Sequence, residues 1–187
     1  MREPQGFRLP SRRGIVGASL SATAVALLAG CATGDAQTAS PGPKDVELLN
    51  TALNIEYGAI AAYQLAADSK LLDPGVLKVA QSFQSDHREH AALLDGTIRK
   101  LGGTPVAAKP VADYKFRTDR LTNQANILMF AAELERQAAS AYLSTVPNFA
   151  DRKLAQAAAS ILGAETMHWA VLRNAMGEAP LPKAFIT

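Results

Sequence analysis

Six ionisable side chains, Glu56, His87, His90, Glu135, Glu165 and His168, fall where the surrounding spacing of apolar residues asks for a buried side chain. They include all three histidines of the 187-residue chain. A buried carboxylate without a partner is costly enough to take up a proton, and several together repel one another. One or two cations reverse that cost, because carboxylate oxygens and imidazole nitrogens are ligands that iron, manganese and zinc accept. His87 and His90 are three residues apart, as are Glu165 and His168, and on a helix that spacing aims two side chains at one ion. Asp86, four residues before His90, is a further donor on that face. The competing arrangement is a metal-free network in which the same glutamates and histidines satisfy one another by hydrogen bonds.

Helices must carry these residues. From Lys44 onward the prolines, Pro74, Pro105, Pro110, Pro147, Pro180 and Pro182, all stand at boundaries or in connections, and the stretches between them are rich in alanine and leucine. The pattern predicts a first helix from an Asp45 cap to about Asp68 and a second from Asp73 and Pro74 to about Leu101. A third is expected from about Asp119 to just before Pro147, and a fourth from about Phe149 to Met176, closed by Gly177. Each has a seam of alternating three- and four-residue steps. The seams read Val46, Leu49, Leu53, Glu56, Ile60, Tyr63; then Phe83, His87, His90, Leu94; then Leu128, Ala132, Glu135, Ala139, Tyr142; then Leu154, Ala158, Ile161, Glu165, His168, Leu172. The polar interruptions lie near mid-helix and are expected at one level of a bundle. Tyr63 and Tyr142 sit two turns beyond Glu56 and Glu135, where a role in supporting the ligands or in redox chemistry competes with core packing of a bonded hydroxyl.

Short connections make helices one and two, and helices three and four, antiparallel hairpins. The link between the hairpins, residues 102–118, can stretch to roughly 50 Å at ~3.3 Å per residue, whereas a helix of this length spans only ~40 Å. It can therefore cross the bundle and make helices two and three parallel, the arrangement of ferritin-like folds. Folding back locally would give an up-down-up-down bundle instead.

The hairpins repeat each other. Glu56 and Tyr63 recur as Glu135 and Tyr142 at an offset of 79 residues, and His87-Arg-Glu-His90 recurs as Glu165-Thr-Met-His168 at an offset of 78. With these residues the chain resembles the ferritin-like di-metal carboxylate proteins, in which two helices each give a Glu and two each give Glu-x-x-His. The stretch Leu48-Leu49-Asn50-Thr51-Ala52-Leu53-Asn54-Ile55-Glu56-Tyr57 is most similar to bacterial exported ferritin-like domain proteins, most of which have no established activity. The resemblance implies an all-α four-helix bundle and a metal site of Glu56, His87, His90, Glu135, Glu165 and His168 holding iron, manganese or another divalent ion. It also implies oxidase, ferroxidase or peroxide-handling chemistry if the site turns over. His87 departs from the pattern, which has a bridging glutamate there. A neutral imidazole binds one ion only, so one or two ions per chain are both expected outcomes.

The ends carry different information. Residues 1–30 hold four arginines and one acid, leaving the remainder with 15 basic and 16 acidic residues. The near-neutral remainder has no basic cluster, which argues against nucleic acid as a partner. Ser11-Arg12-Arg13-Gly14-Ile15-Val16 resembles a twin-arginine export signal, and Leu28-Ala29-Gly30-Cys31 resembles a bacterial lipobox. These imply export across the bacterial inner membrane and lipidation at Cys31. The ordinary secretory route is the alternative to the twin-arginine one, since Ile15 stands where that signal has Phe, and simple cleavage is the alternative to lipidation. Residues 31–43 read as a flexible tether and 44–187 as the bundle with a short tail, 180–185, expected to pack over one bundle end. The Ala-rich surface is compatible with homo-oligomers.

Overall fold

The structure, a computed structural model, describes residues 41–185. The expected export signal, Cys31 and most of the tether lie outside that range. Four helices run α1 Pro43–Asp68, α2 Pro74–Lys100, α3 Gln124–Thr145 and α4 Arg152–Ala175, with no strand among the described residues. None of the four is long and apolar enough to cross a membrane.

The helix ends follow local chemistry. Pro43 and Pro74 occupy the first turns of α1 and α2, where a missing N–H costs nothing. Asp151 caps α4 by accepting from the backbone N–H of Lys153 and Leu154 at 2.7 and 3.0 Å. Gly102 and Gly177 close α2 and α4 with φ of +76° and +74°, a conformation that glycine adopts without strain.

Three expected boundaries move. Asp45 is not the cap of α1 but lies inside its first turn, fully buried. Its carboxylate accepts from the backbone N–H of Gly42 at 3.4 Å and from that of Ala150 at 2.8 Å, so it fastens α1 to the α3–α4 turn. Helix α3 starts at Gln124 under an Asn123 cap rather than at Asp119, because Thr118–Arg120 forms a separate 3-10 turn and Asp119 is engaged by Arg117. Helix α4 starts at Arg152, after a 3-10 turn over Val146–Asn148. The tail also departs from expectation: Leu181 and Phe185 remain 79% and 82% exposed.

Side-chain pairs give the helix directions. Glu56 and Ile60 of α1 meet His87 and Gln84 of α2, so these helices are antiparallel. Tyr63 meets Glu135 and Tyr142 meets Glu56, so α1 and α3 are antiparallel as well. Helices α2 and α3 are therefore parallel, and the Asp73–Gln124 hydrogen bonds tie their starts together. Residues 101–123 cross the bundle along α1. Asn50 bonds the backbone of Thr104 and Val106, and the Tyr114 ring stacks on Phe116, which meets Phe130 of α3 edge-on. This is the crossover topology rather than up-down-up-down.

The core has two apolar layers. One contains Leu49, Leu53, Leu94, Ile98, Leu154 and Ile161, and the other contains Tyr63, Phe83, Leu128 and Leu172. The buried acids and histidines lie between them.

Candidate metal centre

All six seam-breaking residues converge at mid-bundle. Glu56, Glu135, Glu165 and His87 are no more than 1% exposed, and His168 is buried as well. His90 is the least enclosed, with 16% of its side chain exposed. Two groups of four donors overlap: Glu56, His87, His90 and Glu165 form one, and His87, Glu135, Glu165 and His168 the other. Within each, one ligand atom per residue lies within 4.8 Å of the rest. Glu165 and His87 belong to both. Glu56 with His90 flanks one side and Glu135 with His168 the other, a two-fold arrangement that follows from the internal repeat.

His87 occupies the middle. Its Nδ1 is 2.8 Å from Glu56 Oε2, its Nε2 is 3.2 Å from Glu135 Oε1, and Glu165 Oε1 is 3.7 Å from Nδ1. Burial disfavours a charged imidazole, but the Glu135 and Glu56 carboxylates outweigh it and raise His87 to about 11. Both nitrogens then carry protons and donate. His90 is raised to about 9 in the same way: burial acts against the charge, and Glu165 and Glu56 overcome it.

The carboxylates divide. Burial pushes Glu56 and Glu135 towards the neutral form, yet both end below the ordinary glutamate range because imidazoles face them, His87 and His90 for Glu56, His168 and His87 for Glu135. Glu165 goes the other way, raised to about 8 by burial with the Glu135 carboxylate nearby. At neutral pH two carboxylates, two imidazolium ions and one protonated acid make these five groups close to neutral.

Supporting residues complete the cluster. Tyr142 donates its hydroxyl to Glu56 Oε1 at 2.5 Å, and Tyr63 donates to Glu135 Oε1. Each tyrosine thus serves the glutamate of the other hairpin. Burial and the adjacent carboxylate raise both phenols, so they stay protonated donors. Asp86 does not join His90, its expected partner. Its carboxylate lies 3.0 Å from His168 Nε2, which leaves Nδ1 facing inward, 3.5 Å from Glu135 Oε2. Phe83 stacks on the His168 ring at 4.0 Å and fixes its plane.

Sequence reasoning missed three contributors. Phe83 reads as an ordinary core residue, and nothing local marks it as a partner of His168. The tyrosine–glutamate exchange emerges only when helix directions are known. The third is the connector, whose Tyr114 and Phe116 wall a cavity of about 360 Å³ between α1 and α3 with His87 and Glu135 also in its lining. The aromatic pair flanking Lys115 was the available signal.

Five ligand atoms of the cluster are buried without a hydrogen-bond partner: Glu135 Oε2, both oxygens of Glu165, His90 Nδ1 and His168 Nδ1. Four of the five face one another without forming a hydrogen bond, His90 Nδ1 and Glu165 Oε1 at 3.2 Å and His168 Nδ1 and Glu135 Oε2 at 3.5 Å. Buried polar atoms are normally satisfied, and such a set of inward-facing donors fits a cation that displaces the protons on His90 and Glu165.

Comparison with known proteins agrees with the architecture. No curated protein matches the chain. A conserved hypothetical protein from Mycobacterium tuberculosis superposes with a TM-score of 0.64 at 20% identity, over 73% of this chain and 99% of that one. A structure described as ferritin-like, diiron-carboxylate proteins from Bacillus anthracis superposes with a TM-score of 0.60 at 24% identity, over 71% and 94%. Both likenesses show the fold. Residues 44–178 match the model of the ferritin-like domain, and by that match over most of its length the chain belongs to the ferritin-like domain family.

Proposed function

We propose that this chain binds one or two divalent transition-metal ions, iron or manganese, at Glu56, His87, His90, Glu135, Glu165 and His168, and uses them in reactions with dioxygen or peroxide. The carrying observation is the set of buried ligand atoms from four of the six donors that make no hydrogen bond and face one another across the site. Carboxylate and imidazole together suit iron, manganese or zinc. With two ions, Glu56 and His90 would belong to one set of donors and Glu135 and His168 to the other, with Glu165 and His87 within reach of both sets. Bound iron or manganese would supply electron transfer. The protein's part is to fix the donors: Asp86 keeps His168 Nδ1 inward, and the two tyrosines occupy one oxygen each of Glu56 and Glu135.

One observation favours a second reading. His87 bonds two carboxylates at once, as a cation would, so it neutralises charge internally. If it keeps its proton, the site holds a single ion without turnover, or the cluster is a metal-free network.

Elemental analysis after anaerobic Fe(II) or Mn(II) loading and desalting separates these cases. About two ions per chain, lost in Glu165→Ala and His168→Ala, support the dinuclear redox centre. About one supports the mononuclear site. No bound metal, or content unchanged in both variants, overturns the assignment.

Localisation belongs to the same proposal. The Arg12-Arg13 signal and Cys31 support a protein exported across the bacterial inner membrane and lipid-anchored on the outer, periplasmic side. A Cys31→Ala variant released from the membrane fraction would support the anchor, and one that stays there would refute it. Export unaffected by changing Arg12 and Arg13 to lysine would refute the twin-arginine route.

A further inference from the structure

The layer of the bundle containing Tyr63 lines a second cavity, of about 140 Å³ and partly open to solvent, bounded by all four helices and by Leu72. Its lining has no charged side chain, and the only polar side-chain atom is the hydroxyl of Tyr63. That hydroxyl is committed to Glu135, so nothing polar in the wall is left to hold water. Buried water needs two to four polar partners, and an apolar cavity of about 150 Å³ stays dry and takes up xenon or benzene. Volume and chemistry therefore select a small apolar guest.

Position gives the cavity a consequence. Tyr63 is the lining residue on the side of the cluster: its hydroxyl bonds Glu135 and its ring lies 5.5 Å from that of His87. Val79 and Val171, 37% and 46% exposed, form a mouth between α2 and α4. The cavity beneath the connector is different, because the polar side chains of His87, Glu135, Asn54 and Gln137 line it. The cluster is thus approached by a polar space on one flank and an apolar one on the other.

We propose that the apolar cavity is a binding site for dioxygen-sized apolar molecules, holding them against the Tyr63 side of the Glu/His cluster. Its use for dioxygen rests on the redox reading above, whereas its occupancy does not. The test is made on the metal-free full chain by methyl NMR under xenon pressure and then under dissolved dioxygen, which broadens nearby methyl signals. Saturable xenon shifts and dioxygen broadening concentrated at Val76, Ile127, Leu128 and Leu172, both abolished in Ala131→Leu, are expected. Should that variant fail to fold, Ala66→Val narrows the same cavity from α1. Absent or non-saturable shifts, or shifts that persist in the filled variant, overturn the inference. In metal-loaded protein the filled variant should retain its metal and consume dioxygen several-fold more slowly, and an unchanged rate would refute supply through this cavity. Xenon binding in a chain that takes up no metal would uphold the cavity and refute only the metal centre.

Discussion

If the cluster takes up metal as proposed, it must expel protons, and the number follows from the cluster. His87, His90 and Glu165, raised to about 11, 9 and 8, hold protons at neutral pH. Ligation requires all three to release them. At pH 6.5 each is almost fully protonated, so binding should release roughly three protons; at pH 8.5 His90 retains about three-quarters of one and Glu165 about a quarter, and the release falls to roughly two. The apparent affinity should therefore rise roughly a thousandfold per pH unit near pH 6.5 and a hundredfold near pH 8.5. Titration calorimetry with Mn(II) in buffers of different ionisation enthalpy gives the proton count directly at each pH. A count near two at pH 6.5 that falls towards one would mean that His87 keeps its proton and stays out of the coordination. Release of fewer than one proton at pH 6.5, or a count independent of pH, would refute the idea that protons hold the place of the metal.

Other consequences follow from the same geometry. In the metal-free chain the raised groups contribute stability that is fully present below their unfolded values and lost as pH rises through about 8 to 11, so its melting temperature should decline from pH 6.5 to 9, and a flat thermal-melt profile would count against it. Tyr142→Phe keeps the ring but removes a charge-assisted bond to Glu56, costing about 2 kcal/mol and lowering the metal-free melting temperature by roughly 4–8 °C. Asp45→Ala frees the α3–α4 turn from α1 and should cost about 2–3 kcal/mol, with metal content unchanged; a loss under 0.5 kcal/mol by denaturant titration would be inconsistent with its burial. His87→Glu replaces the internal cation by a fourth carboxylate, so the metal-free form should melt lower than the unmodified chain and regain more on Mn(II) addition, and equal melting temperatures without metal would contradict this.

Much of this was legible in the sequence because it depends on periodicity. A glutamate or histidine that interrupts a three-four seam is visible without coordinates, and mid-helix placement in four consecutive helices forces a common level. Proline and glycine marked the ends of α2 and α4 for equally local reasons. The start of α3 was not legible, since Asp119, Thr122 and Asn123 are all competent caps by type. The choice is made by Arg117, which engages Asp119, and by the packing of Phe116 on Phe130. Asp45 misled for the same reason: its real partner, the backbone of Ala150, is 105 residues away. Asp86 showed the limit of spacing arguments, because four residues from His90 allowed a shared face while the direction of α4 delivered His168 instead.

The position that breaks the family pattern is also the one that explains how the bundle can fold before any ion arrives. Four carboxylates at this depth would repel, and the core would depend on protons or metal to close. With His87 in place of the bridging acid, Glu56 and Glu135 find a positive partner within 3.2 Å and Glu165 alone is left to protonate. That arrangement stabilises the metal-free state, and the stabilisation must be given up when a metal binds, since His87 cannot bond both carboxylates and an ion through the same nitrogens. Relative to a site with glutamate at this position, the chain should have a more stable metal-free form and a weaker hold on its second ion. On the proposed metal reading, His87 would thus favour a centre that fills and empties with metal supply over one that holds its ions permanently.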